Sequence, residues 1–155
     1  MALRSAHVTW KGSLMDGSGH LRLASGSMDT DVSIEDRVGE TVRTNPEELL
    51  AGAQAQCYAM VLAKLLGDAG VVPDRVEVSS HVNLRKEANG FTIDRITVET
   101  EVYAPSISEH DFEKVAERAQ TECPVSRALR GAEHTYRSRL NPEKSAVTAG
   151  RIARP

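Results

Sequence analysis

Two cysteines, Cys57 and Cys123, are the residues of this chain whose chemistry is hardest to replace. They stand sixty-six residues apart, whereas a secreted disulfide framework places more cysteines in a shorter chain. In a reducing compartment such a pair is either buried as small hydrophobes or takes part in thiol chemistry. Their surroundings separate these readings only in part. Cys57 follows Ala51-Gly52-Ala53-Gln54-Ala55-Gln56, small residues that let a second backbone or a ligand come close. Cys123 precedes Pro124, so its sulfur would face the free N–H groups of a helix start, where a thiolate is stabilised. A cysteine in an Ala-rich helix is usually packing, and Cys-Pro also arises by chance.

Other reactive types are less promising. His7, His20, His81, His110 and His134 lie in separate segments, none at metal-ligand spacing from another histidine or a cysteine. Two thiols alone do not close a four-ligand zinc site, so no metal and no cofactor is expected. Ser126 has no accompanying general base that would make it a nucleophile. Tyr58 and Trp10 read as packing residues, Trp10 in the core or an interface.

The chain has 155 residues, 40% apolar and 26% charged, with net charge −3, which suits one globular domain over 1–140. Its nineteen Lys and Arg are dispersed and form no basic stripe for nucleic acid. Met1 to Lys11 lacks the apolar centre of a signal peptide. Leu49 to Leu66 is apolar, yet Gln54, Gln56 and Lys64 interrupt it, and a bilayer span seldom carries that load. The expectation is a cytoplasmic protein with no membrane partner.

The elements that must position the cysteines follow from pattern. Short strands are predicted at Ala6–Trp10, Leu21–Ala24 and Asp31–Ile34. Asn45-Pro46-Glu47-Glu48 is a helix start, with Asn45 as cap and Pro46 at the first helical position. The apolar run continues past Cys57 to Gly67 and Gly70, on more than one face, which predicts a helix at the buried centre. Val76–Leu84 and Phe91–Tyr103 alternate around Asn89-Gly90, a hairpin. Ser108–Thr121 is an amphipathic helix with Ser108 and Asp111 as its capping pair. A short helix opens at Cys123-Pro124 and stops near Gly131, a strand fills Glu133–Leu140, and a polar tail covers 141–155. The order is α+β.

Two segments together, TNPEELLAGAQAQCYAMVLAKLLGDAG at Thr44–Gly70 and ECPVSRAL at Glu122–Leu129, resemble the OsmC/Ohr family of hydroperoxide reductases. Arg37, shortly before the first segment, makes the OsmC branch the closer one. The resemblance spans nearly all the chain except its tail. It implies an intertwined homodimer with sites at the subunit interface, antiparallel strands and long central helices. Cys57 would be the peroxidatic cysteine and Cys123 the resolving one. Arg37 matches the active-site arginine and Glu47 its carboxylate partner, with Arg43 and Arg22 the alternative arginines. The reductant implied is an external dithiol, lipoyl-linked or otherwise.

That chemistry suits these residue types. An ordinary thiol of pKa about 8.5 is only a few per cent ionised at neutral pH, and a fixed guanidinium favours the anion. Attack on ROOH releases the alcohol and leaves a sulfenic acid, which a second thiol condenses into a disulfide before overoxidation occurs. Glu47 and Cys57 would differ by about 15 Å along one straight helix. Glu47 therefore acts through an arginine, serves the partner subunit's site, or simply complements the helix N-terminus. Rival readings are a non-catalytic redox sensor or apolar-ligand carrier, and a cysteine hydrolase pairing Cys57 with His81 or His134.

Leu, Val and Ala side chains around the first cysteine would hold an alkyl tail, each buried CH₂ contributing about 0.8 kcal/mol. A higher kcat/KM for tert-butyl or cumene hydroperoxide than for hydrogen peroxide is predicted. Equal values in a steady-state peroxide-consumption assay would contradict an apolar pocket.

Overall fold

The computed structural model describes residues 3–39 and 42–141, so the tail over 142–155 lies outside the described residues. The chain divides into two compact units, Met1–Leu50 and Ala51–Pro155.

The first unit is a three-stranded antiparallel sheet in the order β1-β2-β3, with β1 at Ala6–Lys11, β2 at Ser18–Leu23 and β3 at Asp29–Val32. The second and third strands begin earlier than the alternation suggests, because the β1–β2 turn tightens around Gly12 and Gly17. Gly12 has φ +88, and at Gly17 the carbonyls of Ser13 and Lys11 occupy the space a side chain would need. Trp10 does not fill a core. It is 40% exposed, and its indole N–H donates to the carbonyls of Gly12 at 3.2 Å and Ser13 at 3.3 Å, closing this turn. A single helical turn, α1 at Glu35–Val38, follows; four residues are too few to show a period.

Helix α2, Pro46–Asp68, begins as its sequence dictates, Asn45 Oδ1 accepting the Glu48 amide at 2.8 Å. It runs unbroken through Gly52, so Glu47 and Cys57 remain about 15 Å apart along one axis.

In the second unit β4, Arg75–Glu87, and β5, Gly90–Tyr103, form the expected hairpin, with Gly90 at φ +137 in the turn. Helices α3, Glu109–Glu122, and α4, Pro124–Ala128, then lead to β6, Glu133–Asn141, which pairs parallel with β5. A parallel pair needs a crossover, and α3 with α4 supplies it. Ser108 caps α3 by accepting the Asp111 amide at 3.2 Å, and Phe112, Val115, Ala116 and Ala119 turn inward as the pattern requires.

The core forms where two periodicities meet. Tyr58, Leu62, Leu65 and Leu66 line one face of α2, and Ile96, Val98 and Val102 alternate along β5. The helix is long and apolar enough by composition to cross a membrane, but this face of it is packed in the core cluster. Its other face, with Gly52, Ala53, Gln56, Met60 and Ala63, is open in the single chain. The expected place of α2 at the buried centre is thus met on one face in the single chain.

Candidate active site

Cys123 sits at the break between α3 and α4, in extended backbone with ψ 117, and Pro124 starts the next helix. Proline fits there because the first helical amide needs no partner. The break turns Cys123 fully inward, while Cys57 is half-buried on α2. Both thiols are free, and the two sulfurs are close enough that each acts on the other's ionisation.

Their surroundings make them unequal. Burial pushes the Cys57 thiol up; the Val125 amide draws it down, and the adjacent Cys123 sulfur raises it further. Burial also opposes ionisation of Cys123, but the Ser126 hydroxyl and amide, the Cys57 thiol and the Val125 amide outweigh it, so that thiol lies below its ordinary range. The Val125 N–H acts on both sulfurs. In the single chain the surroundings thus favour the anion more at Cys123 than at Cys57.

Ser126, 4% exposed, links this pair to the core. Its Oγ accepts from Gln54 Nε2 at 2.7 Å, and its hydroxyl favours ionisation of the Tyr136 phenol against the larger effect of burial. Tyr136 stacks on Tyr58 with ring centroids 5.5 Å apart, and the Tyr58 hydroxyl donates to the Ala116 carbonyl at 3.2 Å. Burial raises both phenols well above the physiological range.

Within the first unit, Arg37 clamps Glu47. Its Nη2 donates to Glu47 Oε1 at 2.7 Å, and its Nε reaches the two carboxylate oxygens at 3.1 and 3.2 Å. Arg43 is engaged elsewhere: its Nε and Nη2 contact Asp36 at 3.1 Å. Asp36, only 3% exposed, also accepts from the Ser33 amide at 2.9 Å and hydroxyl at 2.8 Å. The Asp36 carbonyl in turn accepts from Asn45 Nδ2 at 3.0 Å, tying α1 to the start of α2. Arg22 is exposed on β2, opposite Asp29 of β3.

The structure thus joins Cys57 with Cys123, and Arg37 with Glu47. Among the three candidate arginines, Arg37 is the one seen on Glu47. His81 lies 3.8 Å from Glu99 and His134 Nδ1 contacts the Ala132 carbonyl at 3.1 Å; neither is among the groups acting on the Cys57 thiol. Gln54, Tyr136 and the Val125 amide escaped the sequence reading, and Ser126 was weighed only as a nucleophile. Gln54 alone left a trace, an amide side chain one turn before Cys57 on an apolar face.

The fold is α+β, and it brings two free cysteines close to each other. Residues 39–136 match the family described as OsmC-like protein. Peroxiredoxin OsmC of Escherichia coli strain K12 is 34% identical over 128 residues, which cover 82% of this chain and 90% of that protein. The organic hydroperoxide resistance protein OhrB of Bacillus subtilis superposes with TM-score 0.66 at 26% identity, covering 90% of this chain and all of that one. An organic hydroperoxide resistance protein from Elizabethkingia anophelis has the same fold, with TM-score 0.72 at 22% identity over 90% of this chain and 99% of its own. This chain belongs to the OsmC family.

The Asp36 tie has a pH signature. The Arg43 guanidinium foremost, with help from Ser33, holds the Asp36 carboxyl below its ordinary range. A depressed folded-state pKa contributes stability above the unfolded value of about 3.9 and loses it as pH falls through the folded value. Urea unfolding from about pH 6 to pH 2 should therefore show Asp36→Asn less stable than wild type at the upper end, the gap narrowing in acid. A gap independent of pH would contradict the ion-pair account.

Proposed function

We propose that the chain is a cysteine-based peroxidase that reduces organic hydroperoxides to alcohols through the Cys57–Cys123 pair. The observation that carries this reading is the closeness of two free thiols that stand sixty-six residues apart in the chain. Relatives named peroxiredoxin and organic hydroperoxide resistance protein support the substrate class.

The unequal thiols suggest how the cycle starts. Cys57 passes its proton to the Cys123 thiolate and becomes the nucleophile. Arg37, oriented by Glu47, is the cation assigned to favour that anion and to donate N–H groups to the departing alkoxide. Cys57 attacks the distal peroxide oxygen, the O–O bond breaks, and the alkoxide leaves and takes a proton as the alcohol. Cys57 is then a sulfenic acid. Cys123 displaces its oxygen, the S–S bond forms, and water departs with the Cys123 proton. An external dithiol returns both sulfurs to thiols by exchange.

The working unit in this reading is a homodimer. Its support here is the open face of α2, where Gly52, Ala53 and Ala63 leave room for another helix to approach closely and Met60 is 67% exposed. Glu47 and Arg37 would then complete a site shared between subunits.

Peroxide consumption with dithiothreitol as reductant tests the proposal. Cys57→Ser should abolish turnover, and Cys123→Ser should turn over poorly while Cys57 accumulates as sulfinic acid by mass spectrometry. Turnover by Cys57→Ser at the wild-type rate would refute the assignment.

A further inference from the structure

Helix α1 carries Arg37, yet it has little reason to hold its own shape. It is a single turn, Ile34 offers it no side-chain cap, and an isolated turn of helix is unfavourable to form. What holds it is Asp36, the residue of α1 that is buried. The Asp36 carboxylate accepts the Ser33 amide at 2.9 Å and the Ser33 hydroxyl at 2.8 Å. It also accepts the Arg43 amide at 3.3 Å and the Arg43 Nε at 3.1 and 3.2 Å, with Nη2 of the same guanidinium 3.1 Å away. The Asp36 carbonyl accepts Asn45 Nδ2 at 3.0 Å, while Asn45 Oδ1 caps α2 at the Glu48 amide. One residue therefore ties the turn that bears Arg37 to the helix start that bears Glu47.

A buried carboxylate is an odd device for pinning a turn. Apolar side chains of similar volume often replace a buried ion pair without loss of stability, so the charge calls for a reason besides packing. The neighbourhood supplies one. Arg37 and Arg43 stand six residues apart, and Asp36 and Glu47 are both buried carboxylates of the same unit. Two cations and two anions so placed can pair in two ways. In the observed way Arg37 gives Glu47 a fork of Nε and Nη2, and Arg43 gives a fork to Asp36. In the other way Arg43 would take Glu47, and Arg37 would be left to its neighbour Asp36.

We propose that Asp36 is a positioning residue for Arg37: by holding Arg43 as its own partner, it reserves Glu47 for Arg37 and fixes the turn that presents that guanidinium. This inference deepens the peroxidase reading and rests on it, since Arg37 is there the cation assigned to the Cys57 anion and the departing alkoxide. Arg43, foremost, keeps the Asp36 carboxyl below its ordinary range, so both members of the pair stay charged near neutrality. Misplacement of a catalytic group by as little as an ångström lowers rates severely, so the choice of partner matters as much as the presence of Arg37.

Two readouts on the full chain test this. One is the Arg37 Nε–H resonance in proton–nitrogen NMR spectra, assigned by its loss in Arg37→Lys. The other is steady-state consumption of cumene hydroperoxide with dithiothreitol. Asp36→Asn releases Arg43, so the Arg37 resonance should shift or broaden and kcat should fall about tenfold with KM little changed. Arg43→Gln leaves Asp36 to draw on Arg37 and should act in the same direction. Asp36→Asn combined with Arg43→Gln contains neither competitor, so it should recover the wild-type resonance and most of kcat. A merely structural Asp36 would give a double variant no better than either single one. Thermal melts confirm the fold. Should Asp36→Asn not fold, Arg43→Lys, which keeps a cation for Asp36, is set against Arg43→Gln: the lysine should retain the resonance and most of the rate, and the glutamine should lose them. A resonance or a kcat indifferent to Asp36 and Arg43, or a double variant as impaired as the single ones, overturns the proposal. Wild type that consumes no peroxide sinks the peroxidase reading instead, and the resonance still reports the pairing, so the two failures are distinguishable.

Discussion

The closeness of two sulfurs that act on each other's ionisation organises the second unit. Cys57 and Cys123 sit together in surroundings that oppose charge, so only a local set of donors can keep either one ionised. The Val125 and Ser126 amides and the Ser126 hydroxyl supply that set on the Cys123 side. One pKa unit corresponds to about 1.4 kcal/mol, comparable to one good hydrogen bond to a charged group. The balance between the two thiols is therefore within reach of any single donor that moves. Such a pair is easily biased, which suits a cycle in which each sulfur acts in turn.

The fold serves this contact. A parallel β5–β6 pair forces the chain through a crossover, and the crossover is broken into α3 and α4 at Cys123-Pro124. That break delivers the start of α4, with its unpaired amides, against the middle of α2. Tyr58 and Tyr136, stacked on each other, fill the space beneath and exclude water from the Cys123 side. In the first unit a different device operates. Glu47 and Asp36 are buried carboxylates, each paired with an arginine, so removing either arginine would leave a buried charge without its cation.

Much of this was legible in the sequence because local rules and global fold agree. Asn45 and Ser108 cap where their spacing says, the Asn89-Gly90 hairpin forms, and Phe112, Val115, Ala116 and Ala119 face inward. The proximity of the cysteines came from the resemblance of two motifs, since nothing in composition measures distance. What escaped was long-range and polar. The Gln54–Ser126 bond spans seventy-two residues, and no periodicity announces it. Of the two places its size suggested, Trp10 does not take the core, because its indole N–H is used by the turn at Gly12 and Ser13. The α2 helix reads as a buried centre because its sequence is apolar on more than one face, and a single chain covers one.

The most direct measurement is intact-mass and peptide mapping of the reduced protein after one equivalent of cumene hydroperoxide per chain. The account predicts a chain lighter by two hydrogens, with the Cys57 and Cys123 peptides joined within one chain. Oxygen retained on Cys57 beside an unmodified Cys123 thiol, or a disulfide joining two chains, would contradict it.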